Sequence, residues 1–181
     1  MLEVAAVIFT LLSVWLIRKQ NIWCWITGMI GTVCYYFIFK EDHAWGNMML
    51  QFVFLIQSVY GWITWGRNDE LSVRQSSPKT IAFEVLIGLA ISALIYGISV
   101  YVKVPLTTLD ILTTGLSIVG MFLIATKMLE AWLFWGVINI LYIILFLTTG
   151  HILSTLLYVV FFINSYLGYK EWKNSIEVLM F

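Results

Sequence analysis

Charge is what this chain has least of. Asp, Glu, Lys and Arg make up 11% of its 181 residues, against 61% apolar types and a mean hydropathy of +0.93. Soluble globular domains are nearer a quarter charged and half apolar. The shortage excludes a soluble enzyme and a disordered tail. No charge of one sign dominates either: ten basic and ten acidic residues leave a formal net charge of zero, so no basic field recruits nucleic acid. Cysteine is scarce. Cys24 and Cys34 share one apolar stretch, about 15 Å apart on a helix and beyond disulfide reach, and both read as buried, inert thiols. His43 and His151 fall in loops or at span starts with no His-Glu-x-x-His spacing, so surface histidines are expected rather than metal ligands. There is no phosphate-binding P-loop, so no ATP drives work from within this chain. No cofactor is implied.

Long hydrophobic runs are what the chain has in abundance. A bilayer span needs roughly 17–25 mainly apolar residues, and seven such segments are legible: about 2–17, 21–39, 44–65, 80–102, 108–126, 130–149 and 151–169. The expected fold is an all-α, multi-pass integral membrane protein. The first segment is not a signal peptide: it carries Glu3 where a basic region would stand, and it ends in Arg18 and Lys19 with no cleavage site. The one long polar connection is "GRNDELSVRQSSPK", 66–79, and a break at Val104–Pro105 separates the fourth span from the fifth. Arg18, Lys19, Arg67, Arg74, Lys79, Lys127, Lys170 and Lys173 fall on one side. Only Lys40 and Lys103 fall on the other, Lys40 beside Glu41 and Asp42. Positive residues stay inside, which puts the N-terminus outside and the C-terminus in the cytoplasm.

A constant shift of 107 lays the first third of the chain on the last third without a gap. Trp25 falls on Trp132, Tyr35 on Tyr142, Phe39 on Phe146, Ser58 on Ser165, Gly61 on Gly168 and Trp65 on Trp172. Three helices are an odd number, so a direct repeat would insert upside down, and the fourth span restores the sense. The expected organisation is 3+1+3: residues 1–66, then a loop and linker helix at 67–106, then 107–181. Parallel repeats of this kind are a transporter architecture. A non-transporting scaffold could arise by the same duplication, so polar side chains at depth discriminate.

Asn139 sits at the centre of the sixth span, Gln51 and Gln57 bracket the centre of the third, and Asn164 lies just past the centre of the seventh. Gln57 and Asn164 are repeat mates. Trp132, Trp135, Asn139, Tyr142 and Phe146 make one stripe along the sixth helix, and Asn47, Gln51, Phe54 and Ser58 a comparable stripe on the third. Gln57 is about 120° from Gln51 on the helix, so one cavity does not take both equally. A carboxamide flanked by rings suits a flat, polar-edged ligand, and Trp or Tyr faces attract a cation without a buried carboxylate. The same amides can equally be interhelical hydrogen-bond glue. Trp25, Trp62, Trp65, Trp132 and Trp172 lie near cytoplasmic span ends, where an aromatic belt is the simpler reading for most, as for Trp45 on the outer side. Gly28 and Gly31 permit close helix approach. No acid stands at a span centre: Glu3, Asp110 and Glu130 are at ends and Glu84 about a turn inside. Uncoupled facilitated diffusion fits that absence better than proton or sodium coupling. An intramembrane enzyme would need a nucleophile–base pair or metal-binding acids at one surface, and no such set is evident.

Three stretches resemble the PnuC-type vitamin transporters. "QSVYGWITW" (57–65) resembles their Tyr-Gly-Trp-x-x-Trp signature, "LSIVGMFLIATKMLEAWLFWGVINI" (116–140) their fifth-to-sixth helix region, and "NSYLGYKEW" (164–172) their C-terminal end. The resemblance spans nearly the whole chain. It implies a 3+1+3 fold related to the SWEET sugar transporters, a homotrimer, and the bacterial inner membrane. It also implies facilitated uptake of an unphosphorylated vitamin, trapped by a cytoplasmic kinase, through a site between the helix units. Gln57, Tyr60, Trp62, Trp65, Trp132, Trp135, Asn139 and Trp172 match its motif positions; Gln51, Asn164, Tyr35 and Tyr142 join them from depth and repeat pairing. Members carry nicotinamide riboside, thiamine or riboflavin. Both nicotinamide riboside and thiamine are aromatic cations that such a site would accept. Many members have an acid where Asn139 stands and others have Asn; the resemblance of this position to nicotinamide riboside carriers tips the expectation to nicotinamide riboside, with thiamine the alternative.

Overall fold

The computed structural model describes residues 2–41, 45–67, 71–148, 150 and 152–179. Its elements are α1 (Leu2–Arg18), α2 (Trp23–Glu41), α3 (Trp45–Arg67), α4 (Pro78–Val102), α5 (Thr108–Ala125), α6 (Ala131–Thr148) and α7 (Ile152–Leu179). The seven expected segments coincide with these helices to within a few residues, except that α7 runs ten residues past its expected end at 169. Its extension, "KEWKNSIEVL", keeps strong helix formers and places Lys173 four residues before Glu177, a spacing that supports a polar helix. Four helices are long and apolar enough to cross a bilayer: Met48–Arg67 of α3, and all of α4, α5 and α6. Asp42, His43 and His151 lie outside the described residues, as do the side chains of Trp45 and Asn47.

The helix ends follow local chemistry. Ser77 caps α4 by accepting the N–H of Thr80 at 3.2 Å, with Pro78 in the first turn, where its missing N–H is no loss. Thr107 caps α5 reciprocally: Asp110 N–H donates to its hydroxyl at 3.1 Å and Asp110 Oδ2 accepts its backbone N–H at 3.1 Å. α1, α4 and α5 end alike, on a left-handed residue that is not glycine: Gln20 (φ 53°), Lys103 (φ 58°) and Lys127 (φ 53°). The N–H after each closes a Schellman bond, Asn21 to Leu16 O at 3.0 Å, Val104 to Ser99 O at 3.0 Å and Met128 to Leu123 O at 2.9 Å. Gln20 and Lys127 are 107 residues apart, the same shift that aligns the two ends of the sequence.

The chain forms two compact units, Met1–Ser72 with Ile124–Lys127, and Val73–Leu123 with Met128–Phe181. In the first, α2 packs on α1 and α3. Gly28 lies against Ser13, and Gly31 against Thr10 and the Ala6 carbonyl, so the expected close approach occurs where side chains are absent. The Ser13 hydroxyl donates to Cys24 O at 2.8 Å. Both cysteines are free, Cys24 buried and Cys34 half-buried. In the second unit α6 packs on α7, and α4 crosses α5 where Gly115 faces Gly88 and Ser92. α4 is inverted relative to a soluble helix. Its buried residues are Glu84, Gly88, Ser92 and Ser99, while Phe83, Leu86, Leu94 and Val100 are exposed. Hydrocarbon is the solvent that makes such a surface stable.

Candidate functional site

In the second unit α6 and α7 carry a buried Trp pair, a buried carboxamide and a half-buried stack of rings, in that order along α6. Trp132 and Trp172 are 3% and 0% exposed and meet edge to face, centroids 5.3 Å apart at 89°. Gly168 provides the flat seat: a Cβ there would lie 2.5–2.6 Å from three carbons of the Trp132 indole. Two turns along α6, Asn139 is 3% exposed and donates Nδ2–H to Ser165 Oγ at 3.1 Å; Ser165 passes its own proton to Phe161 O at 3.0 Å. Beyond it Tyr142 stacks on Tyr158 at 4.5 Å and on Phe146 at 6.0 Å, with Phe161 edge-on to Tyr158 at 5.7 Å. Trp135 turns towards α5, its Nε1 lying 3.3 Å from where a Cβ on Gly120 would be. Asn164 is half-buried, and its Nδ2 donates to no described residue.

The first unit repeats part of this. Trp25 and Trp65 meet at 5.3 Å and 88°, and Gly61 seats Trp25 as Gly168 seats Trp132. Tyr35 stacks on Phe39 at 5.8 Å, as its mate Tyr142 does on Phe146. Trp65 Nε1–H donates to Ala125 O at 3.1 Å, and the Lys127 ammonium lies 4.7 Å above the Trp65 ring while donating to Gln20 Oε1 at 3.4 Å. Burial pushes the Lys127 ammonium below the usual lysine range. Gln51 lines a groove of about 310 Å³ with Thr32, Val33, Tyr36, Phe37, Phe52 and Leu55. Gln57 does not line it, in keeping with its different helical angle. Ser58 is fully buried.

Of the residues singled out from sequence, the second unit places Trp132 and Trp172 in one buried pair, Asn139 on Ser165 and Tyr142 in a ring stack, with Trp135 turned towards α5. In the first unit Trp65 is buried, but Tyr60 is 43% exposed and Trp62 packs edge-on against the exposed Trp23 at 5.9 Å, so neither enters a buried cluster. The belt expectation is corrected for Trp25, Trp65, Trp132 and Trp172. All four are buried in protein, because glycine or a perpendicular indole gives each flat ring a dry seat. Sequence reasoning missed Ser165, Tyr158 and Trp25 as members. The repeat shift could have raised Trp25 through Trp132. It could not raise Tyr158, whose mate is Gln51.

The sequence pattern of the family described as nicotinamide mononucleotide transporter matches residues 1–174. A relative from Escherichia coli (strain K12), named nicotinamide riboside transporter PnuC, is 26% identical over 204 aligned positions, covering 96% of this chain and 85% of the relative. A protein of the same name from Neisseria mucosa is 26% identical over 188 positions, covering 95% and 72%. Among solved structures, the crystal structure of the vitamin B3 transporter PnuC matches with a TM-score of 0.85 at 23% identity, covering 97% of this chain and 82% of that one. This last likeness is one of fold.

Proposed function

The chain belongs to the nicotinamide mononucleotide transporter family, and from that membership we propose that it carries nicotinamide riboside across a bacterial inner membrane. The family is one of transporters, not enzymes. The observation that carries the substrate is the name shared by relatives that match over nearly the whole chain, nicotinamide riboside transporter. The chemistry of the α6–α7 cluster supports it. A pyridinium ring is flat and cationic, and indole and phenol faces stabilise it without a carboxylate. Its carboxamide matches the carboxamide of Asn139, whose bond to Ser165 uses one of two donors and leaves acceptor capacity. In the second unit Asn164 is the further amide assigned to ribose hydroxyls, with Trp132, Trp135, Tyr142 and Trp172 as rings; Gln57, Tyr35 and Trp65 are the repeat mates of Asn164, Tyr142 and Trp172 in the first unit, and Gln51, Tyr60 and Trp62 are further candidates there.

None of Trp132, Trp135, Asn139, Tyr142, Tyr158, Ser165 and Trp172 is basic, so these residues offer nothing to neutralise a phosphate dianion. That favours the riboside over the mononucleotide, and it is why phosphorylation by a cytoplasmic kinase would trap the substrate after uncoupled entry. The same proposal includes seven spans in 3+1+3 order, an outside N-terminus and a homotrimer. The recurring left-handed turns at Gln20 and Lys127 and the recurring Trp–Trp–Gly seats support the duplication. Calorimetric titration of the detergent-purified protein with nicotinamide riboside, its mononucleotide and thiamine tests the reading. Heat from the riboside alone is expected. Binding of thiamine alone, or tighter binding of the mononucleotide, would refute the assignment.

A further inference from the structure

Two buried carboxylates take no part in that transport step. Glu84, in the second turn of α4, is 9% exposed, and Glu130, just before α6, is 2% exposed. They meet on one residue of the α3–α4 connection. Ser76 donates its backbone N–H to Glu130 Oε1 at 2.9 Å and its hydroxyl to Glu84 Oε1 at 3.3 Å. The other oxygen of each acid, Oε2, is buried and accepts no hydrogen bond from any described residue. No cation answers the pair among the described residues. Arg74 of the connection and Lys79 of the first turn of α4 are exposed and bonded to neither acid. Lys127 of the α5–α6 turn directs its ammonium to Trp65 and Gln20.

A buried carboxylate with an unfilled oxygen neutralises itself or recruits a cation rather than remain charged and dry. Two such acids held by one serine share the same need, and a single positive charge between them answers both. The seryl bonds explain one oxygen of each acid and leave the two Oε2 atoms without a purpose.

We propose that Glu84 and Glu130 form a binding site for one positive charge, a shared proton or a sodium ion in its place, which holds the α3–α4 connection onto α4 and the start of α6. The connection is otherwise held there by the Leu129 N–H donating to Arg74 O at 2.8 Å and the bridge between Arg74 and Met128, so loss of the bound charge is felt as loosening of this segment. The sign follows from linkage. A proton held in this site would be one that unfolded glutamates give up, so the stabilisation it supplies would be present at low pH and lost as pH rises.

The test is thermal unfolding of the full chain in detergent from about pH 5 to about pH 9, a range that ordinary carboxylates have already left, in sodium chloride and in choline chloride. In choline the wild-type melting temperature should fall as pH rises. If sodium changes nothing, the bound charge is a proton; if sodium restores stability at high pH, it is the metal ion. Glu84→Gln and Glu130→Gln, neutral and nearly isosteric, should each flatten the slope, which a purely structural contact would not do. Parallel profiles for wild type and variants with no sodium effect overturn the proposal. Should the variants not fold, infrared spectra of the wild type take their place. A protonated carboxyl band at neutral pH that disappears on alkalinisation or with sodium supports the site; its absence, with no sodium effect on melting, overturns it.

Discussion

Gly168→Ala isolates the packing on which the α6–α7 cluster depends. The new Cβ would stand 2.5–2.6 Å from Cζ3, Cδ2 and Cε2 of Trp132, where carbon atoms prefer about 3.5–4.0 Å. The indole would have to retreat by about 1 Å to reach that separation. Little room exists for it: Trp132 is 3% exposed and is held edge-on by Trp172, which is 0% exposed. Overpacking of this kind costs about 1–3 kcal/mol, and alanine recovers up to about 1 kcal/mol of helix propensity over glycine. With that recovery the net expectation is a loss of up to about 2 kcal/mol. Gly136 on α6 is the control, because nothing lies within 4 Å of its would-be Cβ; Gly136→Ala should be neutral or stabilising by up to about 1 kcal/mol. Thermal unfolding in detergent should therefore rank Gly136→Ala at or above wild type and Gly168→Ala below it. Adding Trp132→Leu to Gly168→Ala should cost less than the sum of the single changes by at least about 0.5 kcal/mol. Equal melting of the two alanine variants, or additive costs in the double variant, would refute the close seating of Trp132.

Asn139→Leu removes one buried hydrogen bond but leaves Ser165 its donation to Phe161 O, so it should fold and lose about 1 kcal/mol or more of nicotinamide riboside affinity, measured by calorimetry; unchanged affinity with lower thermal stability would assign the amide to helix glue alone. Gln20→Gly should stabilise the chain by about 1 kcal/mol in thermal unfolding, since φ 53° is a left-handed conformation that costs a side chain and not a glycine; a destabilised variant would mean that the Gln20 contact with Lys127 outweighs the backbone strain.

Helix positions were legible in the amino-acid order because a bilayer needs about 20 apolar residues per span and because Ser77, Thr107 and Pro105 mark ends by chemistry within a few residues. The recurrence of Trp, Tyr and Gly at a constant shift was legible too, and it is what the proposed duplication rests on. So was part of the cluster, from the stripe of Trp132, Asn139 and Tyr142 on one helix face. What sequence could not say was which way each helix is rotated. In a soluble helix the apolar face identifies the core. In a chain that is 61% apolar, lipid and core accept the same side chains, and the inward face is chosen instead by small and polar residues that meet their partners across long stretches of chain. Gly168 under Trp132, Ser165 on Asn139, and Ser76 between Glu84 and Glu130 are separated by 36, 26, 8 and 54 residues respectively along their pairs. Tertiary structure alone decided that the tryptophans are seated in protein rather than arrayed in a belt, and that two acids at span ends share one serine, because those outcomes depend on close contact between helices and not on the hydrophobicity of any one of them.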